Sequence, residues 1–143
     1  MTTAQQLTQV FNDNFVAYYR SFVAHTNITG RNFRSDHKLL GGVYERRQAE
    51  IDVIAELLRS LGEFTPDSLG RVLEDTKIAS YEMAGDSEEL LAEVKGDLEE
   101  LKGCFEELIA VADSEGYSEI SNYAQEQVLD IAKSIWMLSA TLD

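Results

Sequence analysis

The sequence predicts an all-α protein, a bundle of four long amphipathic helices with a short helix in the long connection between the second and the third. Three observations predict this fold. Apolar residues recur at alternating steps of three and four along four stretches, which is the spacing of one helix face. One proline and nine glycines in 143 residues leave room for long uninterrupted helices. A chain of this length, residues 1–143, is expected to form a single domain with a substantial core.

The first helix is predicted over residues 2–27, with Thr2 or Thr3 as its N-cap. Its apolar stripe consists of Leu7, Phe11, Phe15, Tyr18, Phe22 and His25. A histidine at the end of such a stripe is more often a core residue than a ligand. His25 by itself therefore leaves both interpretations open.

The second helix is predicted over residues 32–61 and ends before Gly62, a residue type typical of helix C-termini. Ser35 or Asp36 could cap its start. Its stripe consists of Phe33, His37, Leu40, Tyr44, Arg47, Ile51, Ile54, Leu58 and Leu61. Arg46 and Arg47 lie between two glutamates, so surface ion pairs are their ordinary interpretation.

Residues 62–85 form a long connection that contains the only proline. A short helix is predicted from Ser68 to Ala79, and a second break is predicted at residues 83–86. A connection of this length can carry the chain from one end of a bundle to the other.

The third helix is predicted over residues 86–114, capped by Asp86 or Ser87, and the fourth over residues 118–142, beginning at Ser118 or Ser121. The single cysteine, Cys104, lies in the third apolar stripe and is expected to be a small buried residue. One cysteine excludes an intrachain disulfide, which fits a reducing, cytoplasmic setting. Trp136 lies beside the last stripe and is expected to pack or to form an interface.

The formal net charge of −14 opposes direct binding to the phosphate backbone of DNA, which requires lysine and arginine. The helical pattern begins almost at once, with no basic residue before Arg20. Residues 82–119 carry thirteen acids against Lys95 and Lys102. Such a segment is either a solvated helix face or an acidic surface or pore that concentrates cations. No apolar stretch is long enough to span a membrane.

Both histidines and an acidic pair, Asp52 and Glu56, lie within residues 25–62. Asp52 and Glu56 are one helical turn apart, so their carboxylates can reach the same point. His37 and Asp52, by contrast, are separated by about 22 Å along a straight helix. Metal ligands lie about 2 Å from their ion, so one copy of the helix cannot hold one ion with both residues. Two antiparallel copies related by a two-fold axis could do so.

Four short runs of this chain together resemble the Dps family of mini-ferritins. The runs are H-x-N-x-x-G-x-x-F-x-x-x-H at residues 25–37, D-x-x-x-E at residues 52–56, L-G at residues 61–62 and W-M-L at residues 136–138. The resemblance implies a ferritin-like fold and a hollow cytoplasmic shell of twelve subunits. It also implies ferroxidase sites at which His25 and His37 of one subunit and Asp52 and Glu56 of its two-fold mate bind iron, with hydrogen peroxide as the usual oxidant. Three acids near the last turn, Asp113, Glu115 and Glu119, would line pores through which iron enters.

The chain departs from the family pattern at two positions. Gly41 stands where the family has a further acidic ligand, and Thr26 stands where it has tryptophan. Asp36, Tyr44 or a water molecule could supply the missing ligand. The alternative function is a structural or metal-binding shell with impaired or no ferroxidase activity, in which zinc could replace iron because both accept His, Asp and Glu ligands. A third interpretation is an unrelated four-helix interaction module.

Overall fold

The computed structural model describes residues 1–78 and 82–143, which contain five α-helices and no strand. The helices are α1 (Thr3–Asn27), α2 (Phe33–Ser60), α3 (Leu69–Asp75), α4 (Ser87–Glu115) and α5 (Ser118–Leu142). The prediction of four long helices with a short one between the second and the third is confirmed. Within these described ranges, no helix combines the length and the apolar character that crossing a bilayer would require.

The four long helices pack as a bundle around the predicted apolar stripes. α1 lies against α2 and α4, α4 lies against α5, and the short α3 covers part of α1. The side chains without solvent exposure come from all four long helices: Leu7, Val10, Ala24, Leu40, Ile54, Leu58, Leu101, Phe105, Leu108, Ala112, Ala124 and Leu138. Burial of each large apolar side chain contributes about 1.5–3 kcal/mol to folding, so the stripes account for the association of the helices.

Side-chain caps fix the starts of two long helices. Thr2 accepts a hydrogen bond from the backbone of Gln5, whose side chain accepts one from Thr2 in return. Asp86 and Glu89 form the same reciprocal pair before α4. The start of α2 differs from the prediction, because its N-cap is Asn32 and no side chain caps it.

Left-handed glycines end two of the helices. Gly62 has φ +84° and Gly116 has φ +83°, conformations that residues with a Cβ rarely adopt. The short helix is shorter than predicted: α3 ends at Asp75, and Ala79 lies outside the described residues. The hydroxyl of Thr76 and the backbone N–H of Lys77 donate to the buried carboxylate of Asp13, at 2.7 and 2.8 Å. The backbone N–H of Lys77 is therefore not available to continue the helix.

Arg47 and Cys104 are both buried, which contradicts the prediction for the first and confirms it for the second. The prediction that Arg47 forms a surface ion pair was wrong, because Arg47 is only 2% exposed. Arg46 does lie at the surface, where its Nε is 3.3 Å from Oδ1 of Asp130. Cys104 is buried as predicted, and burial raises the pKa of its thiol.

Candidate metal centre

The two histidines lie on opposite sides of the turn between α1 and α2. His25 belongs to the last turn of α1, and His37 belongs to the second turn of α2. The chain reverses through Gly30, whose φ of +111° is accessible to glycine, while Ile28 is buried and anchors the turn. The reversal places the end of α1 beside the start of α2 and brings the two imidazoles together.

The imidazoles of His25 and His37 are stacked, with ring centroids 3.8 Å apart and an interplanar angle of 16°. The Nδ1 atom of each ring lies 2.7 Å from the backbone carbonyl oxygen of the other histidine. Because a carbonyl oxygen can only accept, both Nδ1 atoms carry the hydrogen and donate it. In the neutral rings the lone pair is then on Nε2, the arrangement that a carbonyl partner gives to metal-binding histidines.

Aromatic side chains enclose this pair. Phe33 stacks on His37 at 4.9 Å, and the ring of Tyr44 lies 4.9 Å from that of His25. In the part of the chain that the structure describes, neither Nε2 atom has a hydrogen-bond partner. The fold therefore holds two nitrogen donors in fixed orientations without engaging either one.

Gly41 leaves space that the ring of His25 fills. A Cβ atom at this position would lie 3.0 Å from Cε1 and 3.2 Å from Nδ1 of His25, closer than almost all real Cβ contacts. Gly41 therefore offers no acidic group, and the space beside it is filled by the His25 ring. Of the two side chains suggested as substitutes, Tyr44 lies against His25, whereas Asp36 is buried and burial raises the pKa of its carboxyl group.

The acidic pair lies farther along α2. Asp52 and Glu56 are both exposed, and a hydrogen bond that Asp52 accepts from protonated Glu56, together with the negative charge of Asp52, raises the pKa of Glu56. Among the described residues of one chain, no three His, Cys, Asp or Glu side chains come together as a metal site. A single chain therefore has a histidine half and a carboxylate half, on separated parts of α2, as their spacing predicts.

The three acids predicted to line a pore lie around the α4–α5 turn, and all three are exposed. Glu115 is already engaged within the chain, since its carboxylate accepts 2.5 Å hydrogen bonds from the backbone N–H and the hydroxyl of Thr3. These bonds lower the pKa of Glu115. Asp113 and Glu119 have no comparable contact within the described ranges, and the pore assignment of all three stays a prediction.

Spacing together with the family resemblance suggested the four candidate ligands, but nothing in the sequence indicated the hydrogen bonds that orient the histidines. Both acceptors are backbone carbonyls, and no residue type signals them. The predictions also missed a polar cluster around Arg47 inside the bundle. The available signal was the position of Arg47 within the apolar stripe of the second helix.

Comparison with known proteins places this architecture in a family. The Ferritin family model, described as a ferritin-like domain, matches residues 4–143. A DNA protection during starvation protein of Helicobacter pylori strain J99 is 30% identical over 148 positions, which cover 99% of each chain. The crystal structure of antigen TpF1 from Treponema pallidum has a TM-score of 0.93 at 32% identity, covering 99% of this chain and 91% of that one.

A Dps protein from Bacillus brevis has a similar structure, with a TM-score of 0.93 at 25% identity and coverage of 99% of this chain and 95% of that one. The fold, the two halves of the candidate site and these likenesses agree with one another. The chain belongs to the Dps family of mini-ferritins, within the ferritin-like fold.

Proposed function

We propose that this protein sequesters iron by oxidising Fe(II) with hydrogen peroxide and storing Fe(III) inside a hollow shell of twelve subunits. In this proposal, Fe(II) binds between His25 and His37 of one subunit and Asp52 and Glu56 of its two-fold mate. The observation that carries the proposal is the stacked histidine pair, in which each Nδ1 is held by the other residue's carbonyl oxygen at 2.7 Å.

The donor set suits a divalent transition metal. Imidazole nitrogen and carboxylate oxygen bind Fe(II), and they also bind zinc. Asp52 raises the pKa of Glu56, so the Glu56 carboxyl group keeps its proton to a higher pH than an isolated glutamate would. A bound cation replaces that proton, and acidification weakens binding by protonating Glu56.

The overall reaction consumes two Fe(II), one hydrogen peroxide and two protons, and yields two Fe(III) and two water molecules. Each Fe(II) gives up one electron, and the O–O bond accepts both. Removal of Fe(II) and peroxide in one process leaves neither reactant to generate hydroxyl radicals. The Helicobacter pylori relative is named for DNA protection, which supports a protective role. With a net charge of −14, iron removal is a better supported route to protection than DNA coating.

Gly41 supports a second candidate function, a metal-binding shell with little or no ferroxidase activity. Peroxide reduction needs two electrons, and Gly41 leaves a second Fe(II) without an acidic protein ligand. The four remaining donors match a single tetrahedral ion, for which zinc is suited. Peroxide-dependent kinetics separate the two candidates, because the alternative predicts oxidation no faster than that of free Fe(II).

Subunit complementation tests both the chemistry and its location. His37→Ala and Asp52→Ala should each abolish fast oxidation of Fe(II) by peroxide. Co-expressed chains carrying one substitution each should regain about a quarter of the wild-type rate, because half of randomly paired dimers are mixed and each mixed dimer has one intact site. The measurement is the stopped-flow rate of Fe(III) formation at equal subunit concentration.

Asp67→Ala, which removes an exposed carboxylate from the connection after α2, is the matched control and should keep the wild-type rate. If the co-expressed chains are as inactive as the two single variants while the wild type is active, a site shared between subunits is contradicted. A wild-type rate equal to that of free Fe(II) would favour the alternative function.

A further inference from the structure

A polar cluster lies inside the bundle, between α1, α2 and α5. Arg47 is at its centre and is 2% exposed. Its guanidinium donates to the Oδ1 of Asn14 at 3.1 Å, to the Oε1 of Gln127 at 2.9 Å and to the Oδ2 of Asp130 at 3.1 Å. The amide of Asn14 donates in turn to the backbone carbonyl of Arg47 at 2.9 Å.

Glu50 extends this cluster towards the N-terminal end of α5. Its Oε1 accepts from the Nε2 of Gln127 at 2.8 Å and from the hydroxyl of Tyr123 at 3.0 Å. Arg46 approaches the other oxygen of Asp130 from the solvent side, at 3.3 Å. The central polar cluster thus consists of Asn14, Arg47, Glu50, Tyr123, Gln127 and Asp130.

The cluster has the spacing of a metal site within a helical bundle. Arg47 and Glu50 are three residues apart on α2, and Gln127 and Asp130 are three residues apart on α5. Di-iron bundles hold their metal with inward-facing ligands at this spacing on two helices. Here a guanidinium occupies the centre, and the surrounding side chains offer it oxygen atoms, the ligand type that hard divalent cations prefer.

Electrostatics make the guanidinium necessary in this position. Burial lowers the pKa of Arg47, and the negative charges of Asp130 and Glu50 raise it. Arginine stays protonated in proteins, so its positive charge faces both carboxylates. Without it, the half-buried carboxylates of Glu50 and Asp130 would be balanced, among the cluster's described neighbours, by Arg46 at the rim.

We propose that Arg47 occupies a divalent-cation site between α1, α2 and α5, and that its guanidinium keeps metal ions out of this site. The ligands that remain around it are the oxygens of Asn14, Glu50, Gln127 and Asp130. This inference stands independently of the proposed ferroxidase activity, because it concerns a site that the native chain closes.

The test replaces Arg47 with methionine in the full-length protein and counts bound Mn²⁺ from the electron paramagnetic resonance signal of the free ion. Arg47→Met should bind about one more Mn²⁺ per chain than the wild type, because the oxygen ligands lose their internal cation. The matched control is Arg46→Met, which removes the same charge from the same carboxylate of Asp130 but at the surface. It should bind as many Mn²⁺ ions as the wild type.

A second variant assigns the additional ion to the cluster. Arg47→Met combined with Glu50→Gln should lose the extra Mn²⁺, because one of the two anionic ligands becomes neutral. If Arg47→Met unfolds without metal, recovery of helical circular dichroism on addition of Mn²⁺ would support the proposal. Equal Mn²⁺ binding by Arg47→Met and Arg46→Met, or an unfolded Arg47→Met that Mn²⁺ does not restore, would overturn it.

Discussion

At the scale of single residues, Gly41 determines where the ring of His25 can lie. Gly41→Ala would place a methyl group 3.0 Å from Cε1 of that ring, so the ring must shift by a few tenths of an ångström. The shift should weaken the 2.7 Å hydrogen bond to the carbonyl of His37, a bond worth about 1 kcal/mol. We expect the affinity for Co²⁺, measured by visible absorption, to fall by up to about fivefold, since 1.4 kcal/mol corresponds to tenfold and about 1 kcal/mol to about fivefold.

The neighbouring Gly42 is the control for that substitution. Its Cβ would contact only the flexible end of Arg46, at an ordinary distance of 3.5 Å. Gly42→Ala should therefore keep the Co²⁺ affinity and raise the free energy of unfolding by up to about 1 kcal/mol through helix propensity. Equal Co²⁺ affinities for the two alanine variants would show that Gly41 does not position His25.

The sequence was informative about the chemical types in the site and less so about how they are held. The spacing of His25, His37, Asp52 and Glu56 was enough to exclude a site within one straight helix. The two carbonyl acceptors depend on how closely α1 and α2 approach across their turn, which residue types do not encode. Gly41 was visible as a missing acid, but the space it leaves became evident only from the position of the His25 ring.

At the scale of helices, a buried ion pair connects α1 to α4. Arg20 on α1 lies 2.7 Å from Asp97 and 2.7 Å from Glu93, both on α4. Burial raises the pKa of Asp97 to about 6, although its hydrogen bond with Arg20 acts in the opposite direction. The folded protein therefore holds a proton on Asp97 over a pH range in which the unfolded chain has released it.

This difference predicts how stability depends on pH. Between the ordinary aspartate pKa of 3.8 and about 6, the folded state binds more protons than the unfolded state, so stability falls as pH rises. Asp97→Asn lacks this titration. Its free energy of unfolding relative to the wild type should increase from pH 4 to pH 6.5, by up to about 3 kcal/mol.

Urea denaturation at a series of pH values measures that change. Asp67→Asn, at an exposed position in the connection after α2, is the control and should follow the wild type throughout. A difference between Asp97→Asn and the wild type that stays constant across this range would contradict the raised pKa.

Helix positions followed from apolar periodicity because each stripe is buried against another stripe. The ends were harder to predict, since they depend on tertiary contacts. α3 stops at Asp75 because Asp13, from α1, binds the chain that follows. Arg47 was misassigned because its partners Asn14 and Gln127 come from distant parts of the sequence, and local glutamates suggested a simpler pairing.

At the scale of the whole molecule, the exposed apolar residues of α5 form a surface that we expect other subunits to cover. Leu129 is 75% exposed and Trp136 is 66% exposed, and their separation of seven residues puts them on one face of the helix. Large apolar side chains grouped on a surface are typical of protein interfaces. Trp136 is two-thirds exposed within its own chain, which favours the interface alternative for this residue.

Trp136→Glu should accordingly reduce the assembly to smaller species without unfolding the chain. The substitution places a carboxylate in an apolar contact, where an unpaired charge is costly to bury, while the core of the single chain is left intact. Light scattering coupled to size-exclusion chromatography measures the mass, and circular dichroism checks the helices. Glu100→Lys, at an exposed position on α4 and so away from this face, makes a larger change in net charge and should preserve the wild-type mass.

An unchanged mass for Trp136→Glu would show that this face is not part of the interface. Dissociation, by contrast, would make a further consequence measurable. If the site requires histidines and carboxylates from different subunits, a folded monomeric Trp136→Glu should lose peroxide-dependent oxidation while it retains His25, His37, Asp52 and Glu56. Peroxide-dependent activity in such a monomer would contradict a site shared between subunits, as failed complementation would. Unlike the complementation test, this experiment leaves every proposed ligand in place.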